Sequence, residues 1–132
     1  MIKATTGPMG FDGYFKVSAW ANLLRAGNYN TLHAHPESAW SGVYYVDAGE
    51  PAAADDELGG LLELRDPRPA VEMVPAPGWP FGNPLRIQPE TGLMVLFPSW
   101  LYHQVHPYRG QRPRIAIAFN APVHHAGRPK AE

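Results

Sequence analysis

A chain of 132 residues suits one domain with a single hydrophobic core and is too short for two independent ones. Its formal net charge of -1, from 11 Lys+Arg against 12 Asp+Glu, provides no basic stripe and argues against nucleic acid as a partner. The absence of cysteine excludes disulfides, thiolate metal ligands, iron–sulfur clusters and cysteine nucleophiles, so any metal must be held by His, Asp or Glu.

No apolar run approaches the ~18 residues of a transmembrane helix. The opening Met1-Ile2-Lys3-Ala4-Thr5-Thr6 lacks the charged and apolar regions of a signal peptide. A cytoplasmic protein with no membrane partner is expected. Fifteen prolines and thirteen glycines punctuate the chain and disfavour long helices.

Short apolar and aromatic runs between turn signals read as strands of an all-β jelly roll. In chain order they cover 14–25, 29–35, 41–46, 60–65, 70–74, 84–88, 93–97 with 102–107, and 114–120. The acidic, alanine-rich stretch 49–57 suits an exposed hairpin loop. In 74–84, four prolines give stiffness while Trp79 and Phe81 give adhesive surface, so this segment is either a lid over a pocket or a loop covering the core edge. Beyond Asn120 the chain, with His124 and His125, reads as a C-terminal tail from about residue 121. With no internal repeat or linker, residues 1–132 form one expected domain.

In Leu32-His33-Ala34-His35-Pro36 two histidines stand two apart on an expected strand, so both rings project from one face, and Pro36 ends the ladder at the rim. The apolar run 93–97 leads through Pro98 to His103, which an antiparallel roll can bring opposite the pair. Three imidazoles on rigid strands leave coordination positions open for water, oxygen or a chelating substrate.

The spacing Gly27-x5-His33-x-His35, then Gly92-x5-Pro98 with His103, resembles the two cupin motifs. It departs from them where Ala39 and Trp40 stand for a glutamate, Trp100 for a glycine and Pro107 for an asparagine. A longer pattern resembles the 2-oxoglutarate- and Fe(II)-dependent oxygenases, in particular a bacterial and phage group. It comprises His33-Ala34-His35-Pro36, Ser41-Gly42-Val43-Tyr44-Tyr45-Val46, Asp66-Pro67-Arg68, the run from Phe97 through His103 to Val105, and Arg114 to Asn120. This resemblance spans about residues 20 to 120. It implies a double-stranded β-helix (jelly roll, cupin-like) and a dioxygenase with Fe(II) as metal, 2-oxoglutarate as cosubstrate, and O2 with a small-molecule or peptide substrate as partners.

That chemistry suits several residues. The planar fork of Arg114 matches the distal carboxylate of 2-oxoglutarate, with Arg112 as a near alternative. Tyr45 resembles a tyrosine that hydrogen-bonds the same group in prolyl-hydroxylase-type oxygenases, and alternation places Ser41, Val43 and Tyr45 on one face with Tyr44 on the other. Most such enzymes use two histidines and one carboxylate, but here the acid's position is His35. The expected ligands are therefore His33, His35 and His103; the alternative pairs His35 with Glu37 and leaves His33 out.

Trp20 is expected in core or rim packing, while Trp79 and Trp100 are balanced between such packing and substrate platforms. Asn22 and Asn30 lie near the expected mouth, Asp66-Pro67-Arg68 reads as a turn, and His106 is expected off the metal. Two rival functions stay open: a cupin-like metal enzyme that does not use 2-oxoglutarate, and a metal-free binding module of the same fold. Jelly rolls of this size often pair through sheet edges or faces, which leaves a homodimer open.

Overall fold

The computed structural model describes residues 13–52, 55–73, 78 and 82–125. Ten strands follow one another: β1 (Gly13–Phe15), β2 (Ser18–Leu24), β3 (Asn30–His33), β4 (Trp40–Asp47), β5 (Leu62–Leu64), β6 (Leu85–Ile87), β7 (Met94–Pro98), β8 (His103–Val105), β9 (Arg114–Ala121) and β10 (Val123–His125). They form two four-stranded antiparallel sheets, in orders β2-β9-β4-β7 and β3-β8-β5-β6, and a β1-β10 ribbon. This is the all-β jelly roll that the turn-punctuated apolar runs lead one to expect. No helix of the described residues is long and apolar enough to cross a membrane.

One end of the space between the sheets is filled and the other is open. Leu62, Leu64 and Phe97 form a buried cluster against which Val43, Ile87, Val95, Leu101 and Val105 pack. At the other end the inward positions of central strand β9 between Arg114 and Asn120 are Ala116 and Ala118, whose methyl groups leave space unfilled. A cavity of 580 Å³ lies over them, lined by residues of both sheets.

Several local expectations are corrected. The run 14–25 is two strands separated at Lys16 and Val17, where Lys16 N–H donates to Pro122 O. The described part of the run 70–74, residues 70–73, is not a strand: Ala70 adopts a positive φ of 58°, which breaks an extended path, and a 3-10 turn follows over Val71–Met73. The segment 49–57 does not close a hairpin, because β4 and β5 lie in different sheets and the chain crosses between them. The chain past Asn120 is not a loose tail where it is described: β10 pairs with β1, and Tyr14 stacks on His124 at 5.3 Å. Trp79 and Phe81 of the proline-rich segment lie outside the described residues.

On the outer side of the second sheet sits a buried acid, Glu63, on β5. Its cross-strand neighbours are Arg86 on β6 and Gln104 on β8. Arg65, Arg86, Gln104 and His106 all bond its two oxygens, at 2.8–3.1 Å. Burial pushes this carboxyl up, but hydrogen bonds from His106, Arg86, Arg65 and Gln104 outweigh it and hold the pKa at about 2. The folded value is below the unfolded one, so the stabilisation is complete above about pH 4.5 and drains away as pH falls toward 2. Glu63→Gln should lower Tm at neutral pH and flatten the decline of Tm across that acid window, as read by thermal melts at stepped pH.

Candidate metal centre

The site begins with an irregular strand pair. β3 and β8 pair Asn30 with Val105 and His33 with His103, so two residues of β3 oppose one of β8. This bulge turns Asn30 and His33, three apart in sequence, toward the same side. Both line the cavity, together with Val105 and His103. His35 lies beyond the end of β3, not on it as the alternation suggested. Its backbone N–H donates to Ser99 O at 2.8 Å. Ser99, fully buried in the turn between β7 and β8, is tied in turn to β4: its hydroxyl lies 2.8 Å from that of Ser41, which donates to Asn120 Oδ1 at 2.7 Å. The Phe97-Pro98-Ser99 turn thus fixes both His35 and the start of β8.

The three imidazoles converge. Their ring centroids are 4.3 Å (His33–His103), 4.9 Å (His33–His35) and 5.3 Å (His35–His103) apart. Each offers a nitrogen, and these three nitrogens lie within 4.8 Å of one another. His33 Nδ1 donates to Thr31 O at 2.6 Å and His103 Nδ1 to Leu101 O at 2.9 Å. In both, the carbonyl two residues back fixes the tautomer and leaves the Nε2 lone pair facing the cluster, as a metal-binding histidine requires. Phe97 packs edge-on against His103 at 4.7 Å. Burial, and then His33, lower the pKa of His35. Burial, together with His33 and His35 and against the Leu101 hydrogen bond, brings that of His103 to about 4. Three converging imidazole nitrogens form a donor set that fits a divalent transition metal. Glu37 is exposed and is not part of the cluster. His106 is bound to Glu63 at 3.0 Å, apart from the three.

The closed end of the same cavity holds Arg114 and Tyr45. Arg114 begins β9 and is 1% exposed; its Nε donates to Ala48 O at 2.9 Å and its Nη1 to Gly60 O at 2.5 Å. The guanidinium lies over the ring of Tyr108, 4.5 Å from the centroid. Its Nη2 has no partner, alone among buried side-chain nitrogens and oxygens of the described residues. Leaving such a donor unsatisfied costs about 1–3 kcal/mol, which an anionic ligand would offset. Tyr45, on the inward face of β4 with Ser41 and Val43, is held protonated: burial raises its pKa to about 12 against the opposing pull of Arg114. Tyr44 faces outward. Arg112 is exposed and reaches Asp47 at 3.4 Å.

The open end presents Trp20, Asn22, Asn30 and Asn120. Trp20, 42% exposed on the edge strand β2, lines the rim of the cavity. Trp100 is largely exposed and does not line the cavity. Asp66 accepts the Arg68 backbone N–H at 3.0 Å, so that segment is a turn. Sequence reasoning missed Tyr108, Gly60 and Ser99. The Gly59-Gly60 pair was a signal for close backbone approach; Ser99 stood inside the Phe97-to-Val105 pattern without a role, and nothing in the spacing marked Tyr108.

A jelly roll with histidines from two strands at its open end, and a buried arginine behind them, defines the class of non-haem metal oxygenase folds. Residues 18–120 match the model of a family described as "Putative 2OG-Fe(II) oxygenase". The chain belongs to this 2-oxoglutarate- and Fe(II)-dependent oxygenase family. Among solved structures it is similar to a Pseudomonas putida prolyl-4-hydroxylase, with a TM-score of 0.60 and 20% identity over 83% of this chain and 53% of that one. An oxidoreductase of the 2OG-Fe(II) oxygenase family from Burkholderia pseudomallei gives 0.60 and 14%, over 84% of this chain and 45% of that one. A prolyl 4-hydroxylase from Phytophthora capsici gives 0.54 and 19%, over 94% and 38% respectively. At these identities the likeness establishes the fold, and the chain spans about half the length of these proteins or less. No curated protein matches.

Proposed function

We propose that this protein is a 2-oxoglutarate-dependent dioxygenase that hydroxylates a small molecule or a peptide side chain. The observation that carries the proposal is the unpartnered Nη2 of Arg114, buried in the wall of the cavity that also receives the three histidines. His33, His35 and His103 would hold Fe(II). Bound there, the metal supplies the centre at which O2 is activated and 2-oxoglutarate is decarboxylated to succinate as the substrate is oxidised. Arg114 donates from Nη2 to the distal carboxylate of 2-oxoglutarate, and the Tyr45 hydroxyl, kept protonated, donates to the same group. Leu62 and Val43, with Phe97 against His103, line the cavity with apolar surface and exclude water. Trp20, Asn22 and Asn30 are left to face the substrate. A neutral ligand triad leaves a bound Fe(II) more positive than one containing a carboxylate, which favours an anionic chelator such as a 2-oxoacid. A cytoplasmic location belongs to the same reading, since a reducing compartment keeps iron as Fe(II).

Anaerobic addition of Fe(II) and 2-oxoglutarate to the protein should produce a visible metal-to-ligand charge-transfer band. Admitting O2 should then release succinate. Full iron loading with no band would overturn the cosubstrate assignment and favour a metal enzyme that does not use 2-oxoglutarate. Failure to load iron would favour the metal-free module. Arg112→Ala should leave the 2-oxoglutarate concentration for half-maximal band intensity within about twofold of the parent, because an exposed ion pair such as Arg112–Asp47 contributes little.

A further inference from the structure

The sheet β2-β9-β4-β7 gives its inner face to the cavity; its outer face is largely apolar and is left uncovered by the described residues. The cross-strand register lines up Ala21, Ile117, Tyr44 and Met94 in one row. The adjacent row is Ala19, Phe119, Gly42 and Leu96, and Leu23 with Ile115 begins a third. The first two rows carry no charged residue; in the third, Ile115 pairs on with Asp47, whose carboxylate is held by Arg112 at 3.4 Å. Gly42 is required here because the Phe119 ring lies across it, 2.3 Å from where a Cβ would stand, and this flattens the middle of the face. Leu23, Val46 and Met94 keep 51%, 45% and 60% of their surfaces exposed.

A contiguous patch of this kind is unusual on a protein that stays alone, where apolar side chains are scattered and the largest patches are about 300–600 Å². With side chains of about 150–250 Å² each, the exposures of Leu23, Tyr44, Val46, Met94, Leu96 and Ile115 leave roughly 400–650 Å² here, to which Ala19, Ala21, Ile117 and Phe119 add, and the total approaches the roughly 800 Å² that each partner contributes to a stable interface. We infer that this outer face is a homodimer interface, closed by the same face of a second copy in an isologous sheet-on-sheet packing. A second copy fits for two reasons. A face whose centre is uncharged, and whose one acid at the rim is already paired with Arg112, meets its own image without like-charge conflict, and the net charge of -1 leaves little long-range repulsion between copies. Twisted sheets also stack readily at about 10 Å with their inner side chains interdigitated. The cavity lies on the opposite side of the sheet, so pairing leaves it open. The inference stands apart from the catalytic reading.

Sedimentation of the full chain over a concentration series tests it. The expected result is a particle of twice the chain mass at micromolar concentration. Met94→Glu and, separately, Leu23→Glu should each raise the dissociation constant more than about 100-fold, because a carboxylate would be desolvated without a partner. Both positions are at least half exposed in the single chain, so far-UV circular dichroism and Tm measured on the dissociated variants should show an intact fold. A parent chain that sediments as a monomer throughout overturns the inference, and that outcome would point to a different protein or a further polypeptide segment as the cover. A dimer that persists in both variants also overturns it, by placing the contact elsewhere.

Discussion

His103→Ala is expected to abolish tight Fe(II) binding while leaving the chain folded. His103 supplies one of three nitrogens lying within 4.8 Å of one another, and its Nδ1 bond to Leu101 O holds the ring in register. Loss of a partner that merely orients a ligand already costs about 10- to 100-fold in affinity, so loss of the ligand itself should cost about 100-fold or more. Metal content after dialysis against Fe(II) under anaerobic conditions would measure the effect. Glu37→Ala is the informative contrast. Its side chain is exposed and outside the cluster, so metal content should not change. If Glu37→Ala also lost iron, a carboxylate would belong to the ligand set and the all-histidine assignment would fail.

Arg114→Lys should raise the Kd for 2-oxoglutarate by about 10- to 100-fold at saturating Fe(II), in line with about 1.5–3 kcal/mol for a charged hydrogen bond. A lysine keeps the charge but cannot serve Ala48 O, Gly60 O and a carboxylate in one plane, as the guanidinium does. Gly60→Ala should produce a similar loss without touching the arginine. Gly60 has a φ of +73°, and a Cβ there would stand 2.7 Å from Arg114 Nη2, the nitrogen left for the ligand. The Ala variant should also lose about 1–2 kcal/mol of stability from the left-handed backbone. Titration of the charge-transfer band measures the first effect and thermal unfolding the second. An unchanged Kd in both variants would remove Arg114 from the cosubstrate site.

Much of this was legible in the sequence because strand periodicity and metal chemistry impose short-range patterns. The two histidines of His33-Ala34-His35, the apolar run leading to His103 and the alternation placing Tyr45 inward each depend on a few neighbouring residues. The fold class followed from turn residues bounding short apolar runs. What the sequence obscured depends on long-range or backbone effects. A bulge in β3, not simple alternation, aims Asn30 and His33 together, and a carbonyl of Ser99 anchors His35 off the strand. The strand expected over 70–74 failed because one backbone angle at Ala70 outweighed side-chain pattern. β10 escaped notice because its partner is β1, more than a hundred residues earlier. Tyr108, whose hydroxyl accepts from Glu50 N–H and donates to Arg112 O, shapes the Arg114 socket only through the folded loops.

The alanines at 116 and 118 separate two properties usually entangled in one pocket. They sit on a strand hydrogen-bonded on both sides, so the backbone beneath the cavity cannot recede, and neither side chain carries a polar atom. The bore of the cavity is therefore gauged by two methyl groups. Exchanging Ala118 for a wider residue would narrow the range of molecules admitted while leaving the histidines, Tyr45 and Arg114 in place. Substrate breadth can thus drift, or be engineered, independently of the oxygen chemistry.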